Sequence, residues 1–391
     1  EINYMNTYSN YLLTRTKKDL IQLAKLHGMS GYSSMKKDEL ARNLLDYLYT
    51  PSVIHNFFVY LGDDELNLIH FPESGHPALY RRMYEGGYCL KNTDGSYQIP
   101  QQLMETSAEL LTGAFEKERQ RKSFLLDCLN ASGHLYGCFP ASILMKMYNA
   151  YAPAPLKRED ILQEIRIIPP YFQSFILEND LIIQEALYAN ALYKKIQQCQ
   201  GTLPFYMPDK TQIRYLSRFG YFPEDQYTGQ LSEILAGTGE ITREKARELS
   251  GEIQTLFRQG GTMEDAVTFL KKYAQSREHS KTGNQKTKTP ESENQSSGSP
   301  KAVSQKSGTS EPKASPGYTL ADILDAGIAD ASGRKLLSAL NNVFSHAALL
   351  LNRGYTAAEA MRLKQKKVKI YPNSPCPCGS GKKYKNCCGR R

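Results

Sequence analysis

The chain contains no tryptophan and no apolar run long enough to cross a membrane. Its 391 residues include 26 tyrosines and 14 phenylalanines, so these two types supply all of its aromatic side chains. A membrane-spanning helix needs about 20 consecutive, mostly apolar residues, and no stretch of this sequence provides them. The first residues also lack a basic stretch followed by an apolar core. We therefore predict neither a membrane span nor a secretion signal.

The cysteines are not spread through the chain as a disulfide framework would require. Four of them occur singly, at Cys89, Cys128, Cys138 and Cys199, and the other four fall within 13 residues at the C-terminal end. Disulfide-rich secreted domains distribute their cysteines across the fold. The observed pattern predicts a cytoplasmic protein with reduced thiols and a metal site near its C-terminal end.

Acidic residues are absent from the segment 361–391, whereas ten lysines and arginines occur there. The formal net charge of the whole chain is +9. A basic segment of this kind is typical either of a solvated end or of a surface that binds the phosphates of nucleic acid. The charge favours an anionic partner without identifying one.

Hydrophobic periodicity predicts a mainly α protein with a few short β-hairpins, an α+β arrangement for which tandem winged-helix-like modules are one interpretation. Two stretches combine helices with a terminal hairpin. The first covers residues 77–99 and contains an Asn-Thr-Asp-Gly turn at 92–95. The second covers residues 116–184, with helices near 121–131, 140–151 and 158–165 and strands at 175–177 and 181–183.

Residues 276–317 contain no leucine and no isoleucine, and are dense in serine, lysine, proline, glutamine and threonine. Such a segment cannot offset the entropy cost of ordering it, so we predict a disordered linker; the alternative is a segment that folds on a partner. The predicted units are a helical hairpin at 10–50, a mainly helical body at 51–275, the linker at 276–317, a small helical unit at 318–368 and a zinc knuckle at 369–391.

The knuckle has the spacing C-x-C-x8-C-C, formed by Cys376, Cys378, Cys387 and Cys388. Zinc binds four thiolate or imidazole donors at tetrahedral corners, and one close pair at each end of a turn can supply them. Gly379 and Gly381 allow the chain to double back between the pairs. Four protein ligands leave no open coordination position, so we predict a structural Zn²⁺ site. The alternative is free thiols or disulfides on a flexible tail.

The last 22 residues resemble the SEC-C motif, named for the C-terminal zinc-binding segment of the SecA preprotein translocase ATPase. The resemblance rests on both cysteine pairs, the Gly-Ser-Gly turn at 379–381 and the Lys-Lys-Tyr-Lys sequence at 382–385. By position, it implies that Cys376, Cys378 and Cys387 are zinc ligands and that Cys388 holds the fourth position. It also implies a docking element for proteins or for ribosomal and RNA surfaces.

The sequence pattern of residues 10–50 predicts two short helices joined by a loop, with Thr16 as the N-cap of the first helix. This arrangement resembles the N-terminal helical domain of the Rho transcription termination factor and the related SAP-type modules. The resemblance implies nucleic-acid binding, with four candidate phosphate contacts at Lys17, Lys18, Lys36 and Lys37. The alternative is a hairpin used for packing, with solvated lysines. Rho's RNA-binding barrel and ATPase core have no counterpart in this sequence.

We find no group of residues with the spacing of a catalytic site, and the sequence favours a protein that is not an enzyme. His134 and Cys138 are four residues apart, but Gly133, Gly137 and Pro140 argue against a regular helix there. His70 and His76 flank a proline and a glycine in a loop, with no third ligand nearby. The pattern of these residues therefore assigns no catalytic role to any of them.

The favoured hypothesis is a cytoplasmic adaptor or regulator that binds nucleic acid or the ribosome through the basic hairpin and docks a protein partner through the zinc knuckle. The predicted linker of about 40 residues would separate body and knuckle by a root-mean-square distance of roughly 35 Å, so both ends could engage separate sites. One alternative is a protein–protein interaction module linked to protein export, with no nucleic-acid role. Another is an enzyme whose site is assembled from dispersed residues of the body.

Overall fold

A computed structural model of the chain describes residues 12–13, 15–72, 76–92, 95–110, 113–283, 319–365, 371–374, 383–386 and 389. These residues form a mainly helical fold with two small antiparallel sheets, as the sequence predicts at this level. None of the described helices combines the length and the hydropathy that a membrane crossing requires.

The helices of the described residues are α1 (Lys17–Leu26), α2 (Lys37–Leu48), α3 (Pro51–Phe58), α4 (Asp63–His70), α5 (Arg81–Glu85), α6 (Gln101–Leu110), α7 (Gly113–Tyr136), α8 (Ala141–Asn149), α9 (Arg158–Arg166), α10 (Glu185–Tyr188), α11 (Leu192–Gln200), α12 (Lys210–Phe219), α13 (Gln226–Ala236), α14 (Arg243–Arg258), α15 (Met263–Gly283), α16 (Leu320–Ala326), α17 (Ala331–His346) and α18 (Ala357–Gln365). The strands are β1 (Leu90–Lys91), β2 (Tyr97–Gln98), β3 (Cys138–Pro140), β4 (Phe175–Glu178) and β5 (Leu181–Gln184).

The N-terminal helical hairpin, α1 and α2, packs against the rest of the fold. Helix α1 begins at a capping box, in which Asp19 N donates to the Thr16 hydroxyl and the Asp19 carboxylate accepts from Thr16 N, each at 3.2 Å. The apolar faces of both helices belong to a core that continues through α3 and the 86–90 segment. Gly87 has φ +83°, and a Cβ there would lie 2.7 Å from Leu23. The hairpin therefore depends on a close backbone contact for its packing.

A three-stranded sheet follows helix α7 in the middle of the chain. The element order is α7, β3, α8, α9, β4 and β5, and the sheet has the order β3-β5-β4. Ile176 pairs with Ile183 and Leu177 with Ile182 in the register between β4 and β5. The predicted second hairpin is therefore present, whereas β3 lies where the sequence analysis placed no strand. The first hairpin forms the two-stranded sheet β1-β2, with Leu90 opposite Gln98.

The described residues form two large hydrophobic cores, and the boundary between them lies near residue 225. The first contains buried side chains from Leu12 to Leu216, and the second contains side chains from Leu231 to Ala347. The second core joins α13, α14 and α15 to α16 and α17, across the segment 284–318. The sequence analysis treated 318–368 as a unit apart from the body, but these short helices cannot bury their apolar faces alone.

Helix α15 ends later than the sequence predicts. It continues to Gly283, so residues 276–283 are helical although they were assigned to the disordered linker. The remainder of that predicted linker lies outside the described residues. Both of its ends are attached to one core: Lys271 forms an ion pair with Asp325 at 2.8 Å, and Leu320 N donates to Glu240 Oε2 at 3.0 Å. The described residues on either side of 284–318 therefore belong to one core.

The 349–355 segment connects the second core to α7, α11 and residues 201–206. Gln200 Nε2 donates to the carbonyls of Tyr136 and Leu350, at 2.9 and 2.8 Å. Tyr206 N donates to Arg353 O at 3.0 Å, and Arg353 Nη2 donates to Gly201 O at 2.8 Å. Hydrogen bonds from the backbone and the side chain of Arg353 therefore attach this segment to residues 201–206.

Candidate functional site

The two flanks of the cysteine knuckle lie side by side. Tyr384 N donates to Ser374 O at 2.8 Å, and Lys385 N donates to Pro372 O at 2.9 Å. The residues between these flanks carry Cys376 and Cys378, which lie outside the described residues. Ser374 precedes Cys376 by two positions and Tyr384 precedes Cys387 by three. The described residues that flank the two cysteine pairs therefore lie side by side.

A tight turn follows the second flank. Asn386 N donates to Lys383 O at 2.9 Å, and Gly389 N donates to Tyr384 O at 2.8 Å, so Gly389 lies against the start of the 384–386 turn. A Cβ on Gly389 would lie 2.6 Å from the ring of Tyr384 and 2.8 Å from its carbonyl oxygen. Glycine is required here because the backbone passes directly over the tyrosine ring.

The donor set and the paired flanks fit a tetrahedral Zn²⁺ site. Four thiolates are the donors that structural zinc sites use, and Ser374 and Tyr384, which precede the two cysteine pairs in sequence, are hydrogen-bonded to each other. The predicted ligands Cys376, Cys378, Cys387 and Cys388 themselves lie outside the described residues, so their geometry stays a prediction. In the part of the chain that the structure does describe, no group of three or more metal-binding side chains occurs.

Three of the single cysteines are buried and apart from the knuckle. Burial raises the pKa of the Cys89 thiol to about 12 and that of Cys138 to about 11. Burial also raises the pKa of Cys128, and the neighbouring Asp127 adds to the effect. Thiols with raised pKa are poor nucleophiles and poor metal ligands. These side chains are core residues, in agreement with the prediction of reduced, scattered thiols.

The four hairpin lysines stand at the starts of α1 and α2. Lys17, Lys18 and Lys36 are exposed and Lys37 is half-buried. The start of α1 carries one carboxylate, Asp19, which caps the helix, whereas the start of α2 carries two, Asp38 and Glu39. Lys17 and Lys18 therefore form the more basic of the two pairs, and they point away from the buried leucines of α1.

A buried ion-pair network joins α4, α7 and α12. Arg218 forms ion pairs with Asp64 at 3.0 Å, with Glu65 at 3.5 Å and with Asp127. The side chains of Arg218 and Asp127 are 4% and 5% exposed. Burial alone would lower the pKa of Arg218, but the three carboxylates raise it above its ordinary value. The sequence analysis missed this network because its members lie up to 154 residues apart.

The network forms one wall of a cleft of about 880 Å³ between α4, α7, α12 and the segment after α8. Lysine, arginine, aspartate and tyrosine side chains line it. A polar cleft of this size is the observation that favours an enzyme or a binding site in the body over a purely structural scaffold. The described residues that line it include no cysteine and no histidine.

His134 and Cys138 do not form a site. Helix α7 continues through Gly133 and His134 to Tyr136, contrary to the expectation of an irregular segment. The helix ends at Gly137, where φ is +70°, and Cys138 begins strand β3. Burial lowers the pKa of His134 to about 4, with Arg258 and Arg81 contributing.

Comparison with known proteins finds similarity at the C-terminal end. The SEC-C motif matches residues 373–390. The "Protein translocase subunit SecA" of Syntrophus aciditrophicus (strain SB) is 52% identical over 40 residues, which are 10% of this chain and 5% of that protein. The SecA subunit of Wolinella succinogenes is 73% identical over 26 residues, 7% of this chain and 3% of that protein.

The SecA subunit of Finegoldia magna (strain ATCC 29328) is 82% identical over 22 residues, 6% of this chain and 2% of that protein. This chain therefore spans only a few per cent of the length of the curated relatives it matches. No solved structure matches it. The Rho-type and SAP-type resemblance of the N-terminal hairpin finds no support among these matches and stays a prediction.

Proposed function

We propose that the protein is a cytoplasmic adaptor in which a helical body carries a zinc-stabilised docking knuckle and a basic hairpin that binds nucleic acid or the ribosome. The pairing of the knuckle flanks, together with the match of residues 373–390 to the SEC-C motif, carries this proposal. A short segment with so little hydrophobic surface needs a metal to hold one shape. With Zn²⁺ bound by the four cysteines, the knuckle is a rigid, basic surface element.

Cys376, Cys378, Cys387 and Cys388 would hold the Zn²⁺, whose role is to cross-link the two chain segments. Four thiolates around Zn²⁺ leave a net charge of −2, which the surrounding lysines and arginines offset. Lys383 and Lys385 are both exposed on this turn. The knuckle therefore presents positive charge on a fixed backbone, which suits an acidic protein surface or a phosphate backbone.

Metal analysis of the purified, reduced chain tests the knuckle. We expect one zinc per chain, and we expect Cys378→Ser to lose it because three thiolates hold the ion much less tightly. Cys199→Ser, which removes an exposed cysteine outside the knuckle, is the matched control and should retain the zinc. A metal-free parent protein would contradict the proposal.

The hairpin contributes the nucleic-acid contact through Lys17 and Lys18. Both lysines are exposed, and no ion pair engages either of them among the described residues. Contacts of this type are electrostatic and independent of sequence, because lysine neutralises phosphate charge and releases counterions. The proposed role is therefore to position the protein on an anionic surface without selecting a base sequence.

Fluorescence anisotropy with a labelled single-stranded RNA and a labelled DNA duplex tests this contact. We expect Lys17→Glu with Lys18→Glu to weaken binding at least tenfold at low salt, and to lower the slope of log K against log salt by about 2. The matched control is Lys194→Glu with Lys195→Glu, because these lysines are also adjacent and exposed near a helix start. Equal binding by both variants, or binding insensitive to salt, would overturn the role of the hairpin.

A second candidate function is a protein-interaction module linked to protein export. The order α7, β3, α8, α9, β4 and β5, with the sheet order β3-β5-β4, is the arrangement we interpret as a winged-helix-like module. Helix α9 carries three carboxylates and two arginines, strand β4 ends at Glu178, and Asp180 follows in the turn before β5. Arg121 pairs with Glu164 and Arg158 pairs with Asp180, so positive charge on this surface is largely neutralised, which favours a protein partner over phosphates.

The salt titration separates these two functions. A chain that binds neither RNA nor DNA at low salt, but captures SecA or another export component, would support the second candidate. We expect instead that nucleic acid binds and that nuclease treatment of a lysate removes the captured material.

A further inference from the structure

The cleft between α4, α7 and α12 carries a basic and aromatic face that the proposed adaptor role does not use. Lys117, Arg121 and Phe124 follow one another on α7 at spacings of four and three residues, so they share one side of the helix. Lys210, at the start of α12, completes this face, with its Nζ 5.5 Å from the centre of the Phe124 ring.

The charges that line the cleft are unevenly paired. Arg218 and Arg214 are engaged by Asp64, Asp127 and Asp63, and Arg121 is engaged by Glu164. Among the described residues, no carboxylate pairs with Lys117 or Lys210. The acidic side chains of the cleft are therefore neutralised within the protein, and the two lysines retain positive charge for a ligand.

The aromatic side chains are held in place at the same face. The Phe124 and Tyr148 ring centres are 5.7 Å apart, and Tyr151 is 37% exposed. The Tyr151 hydroxyl donates to Pro208 O at 3.1 Å, so its ring has a fixed position before any ligand arrives. A rigid, half-exposed ring is suited to packing against a flat partner at a low entropy cost.

We propose that this cleft binds a nucleotide unit, with its phosphate on Lys117 and Lys210 and its base against Tyr151 and Phe124. An inorganic anion would leave the aromatic rings without a role, and an apolar ligand would leave the lysines without one. The cleft volume of about 880 Å³ is sufficient for a nucleotide, since ligand sites of roughly 300–1,000 Å³ are usual. The Asn67 side-chain amide also lines the cleft and can donate to or accept from a base edge.

The nucleotide has two sources with the same chemistry: a free nucleoside phosphate, or one unit of a single strand that passes through the cleft. Both combine a flat base with a phosphate. The site is separate from the hairpin lysines in sequence and in structure, so it stands whether or not the hairpin binds nucleic acid.

Isothermal titration of the full chain with adenosine monophosphate and with a five-nucleotide single-stranded RNA tests the proposal. We expect Lys210→Ala and Lys117→Ala each to weaken binding about tenfold, and Tyr151→Ala to weaken it at least about fivefold. Lys146→Ala and Lys195→Ala, which remove exposed lysines outside the cleft, are the matched controls. Circular dichroism confirms that each variant is folded, and the two lysine variants serve if Tyr151→Ala does not fold.

The possible outcomes distinguish a free nucleotide from a single strand, and the cleft from the hairpin. Binding of adenosine monophosphate that the cleft variants weaken supports a free nucleotide, whereas binding of the oligonucleotide alone supports a strand. Adding Lys17→Glu and Lys18→Glu should leave the affinity for adenosine monophosphate unchanged, which distinguishes this site from the hairpin. If neither probe binds, or if the cleft variants bind as tightly as the controls, the proposal is overturned.

Discussion

Buried ionisable side chains are concentrated where α4, α7 and α12 meet. Arg218 is nearly inaccessible and contacts three carboxylates, while Arg82 contacts Glu65 at 3.2 Å. Buried ion pairs contribute little net stability compared with apolar side chains of similar volume, but removal of one partner leaves the other charge buried and unpaired. At the residue scale, Arg218 therefore maintains the junction of these helices and one wall of the cleft.

Substitution of Arg218 tests this dependence. We expect Arg218→Met to lower the free energy of unfolding by about 3–5 kcal/mol, because Asp127 loses its ion-pair partner and Glu65 loses one of its two. Arg214→Ala removes a half-exposed arginine that contacts Asp63 at 3.4 Å, and should cost less than about 1 kcal/mol. Urea denaturation measures both, and similar losses for the two variants would show that the network is not held by Arg218.

His27 gives the fold a dependence on pH. Its Nε2 lies 2.8 Å from Gly86 O, and its ring stacks on Tyr171 with centres 4.6 Å apart. Burial lowers the pKa of His27 to about 4, although the hydrogen bond to Gly86 opposes this shift. The neutral ring is favoured in the folded state. Its contribution is therefore complete above the unfolded pKa of about 6.5 and is lost as pH falls towards 4.

We expect His27→Gln to reduce the loss of stability between pH 6.5 and pH 4 by roughly 2–3 kcal/mol relative to the parent chain. Urea denaturation at a series of pH values measures this change. His70→Gln, at an exposed position, is the matched control and should keep the acid sensitivity of the parent. An unchanged pH profile for His27→Gln would place the acid sensitivity elsewhere.

At the scale of single elements, the C-terminal turn shows how a short segment can be shaped with little hydrophobic surface. Its described backbone is held by hydrogen bonds between the flanks and by the contact of Gly389 with the Tyr384 ring. Metal binding and folding are coupled in such segments, because the ligands converge only in the folded form. A change that disturbs the turn should therefore appear as weaker metal binding.

Gly389→Ala tests this coupling. Since the new methyl group would overlap the Tyr384 ring, we expect the affinity for zinc to fall by roughly 5- to 100-fold, the equivalent of an overpacking cost of about 1–3 kcal/mol. Competition with a chromophoric chelator measures the affinity. In a chain that already carries Tyr384→Ala, Gly389→Ala should lower the affinity for zinc less than it does in the parent chain, because the ring is no longer present. An affinity unaffected by Gly389→Ala would show that the turn opens when the metal binds.

At the scale of the whole molecule, chain order and spatial order differ. Helices α13, α14 and α15 share their core with α16 and α17, although 36 residues separate the two groups in sequence. Closing a long flexible loop is inexpensive, since each doubling of its length costs only about 0.6 kcal/mol. The burial of leucines on both sides of the loop easily exceeds that cost.

Limited proteolysis tests this arrangement. We expect the first cut to fall within 284–318, and the two fragments to remain together in gel filtration under native conditions, because they share one core. They should separate only in denaturant. Fragments that part without denaturant would show that the helical unit predicted at 318–368 folds apart from the body.

The sequence determined the local features of this protein. Thr16 and Asp19 predicted the start of α1, and α16 was also predicted from the sequence. Two apolar runs around a Glu-Asn-Asp turn predicted the hairpin of β4 and β5, and the spacing of four cysteines predicted the C-terminal motif. These features depend on residues close together in the chain, so their physical causes are visible in a short window of sequence.

Only the tertiary structure decided which distant residues meet. Strand β3 is three residues long and exists because it pairs with β5, and Arg218 acquires its role from carboxylates far away in the chain. The cleft and the shared second core have the same origin. Contacts of this kind form because apolar surfaces become buried against each other. Many different sequences can bury such a surface, so a short segment does not reveal which distant segment it will contact.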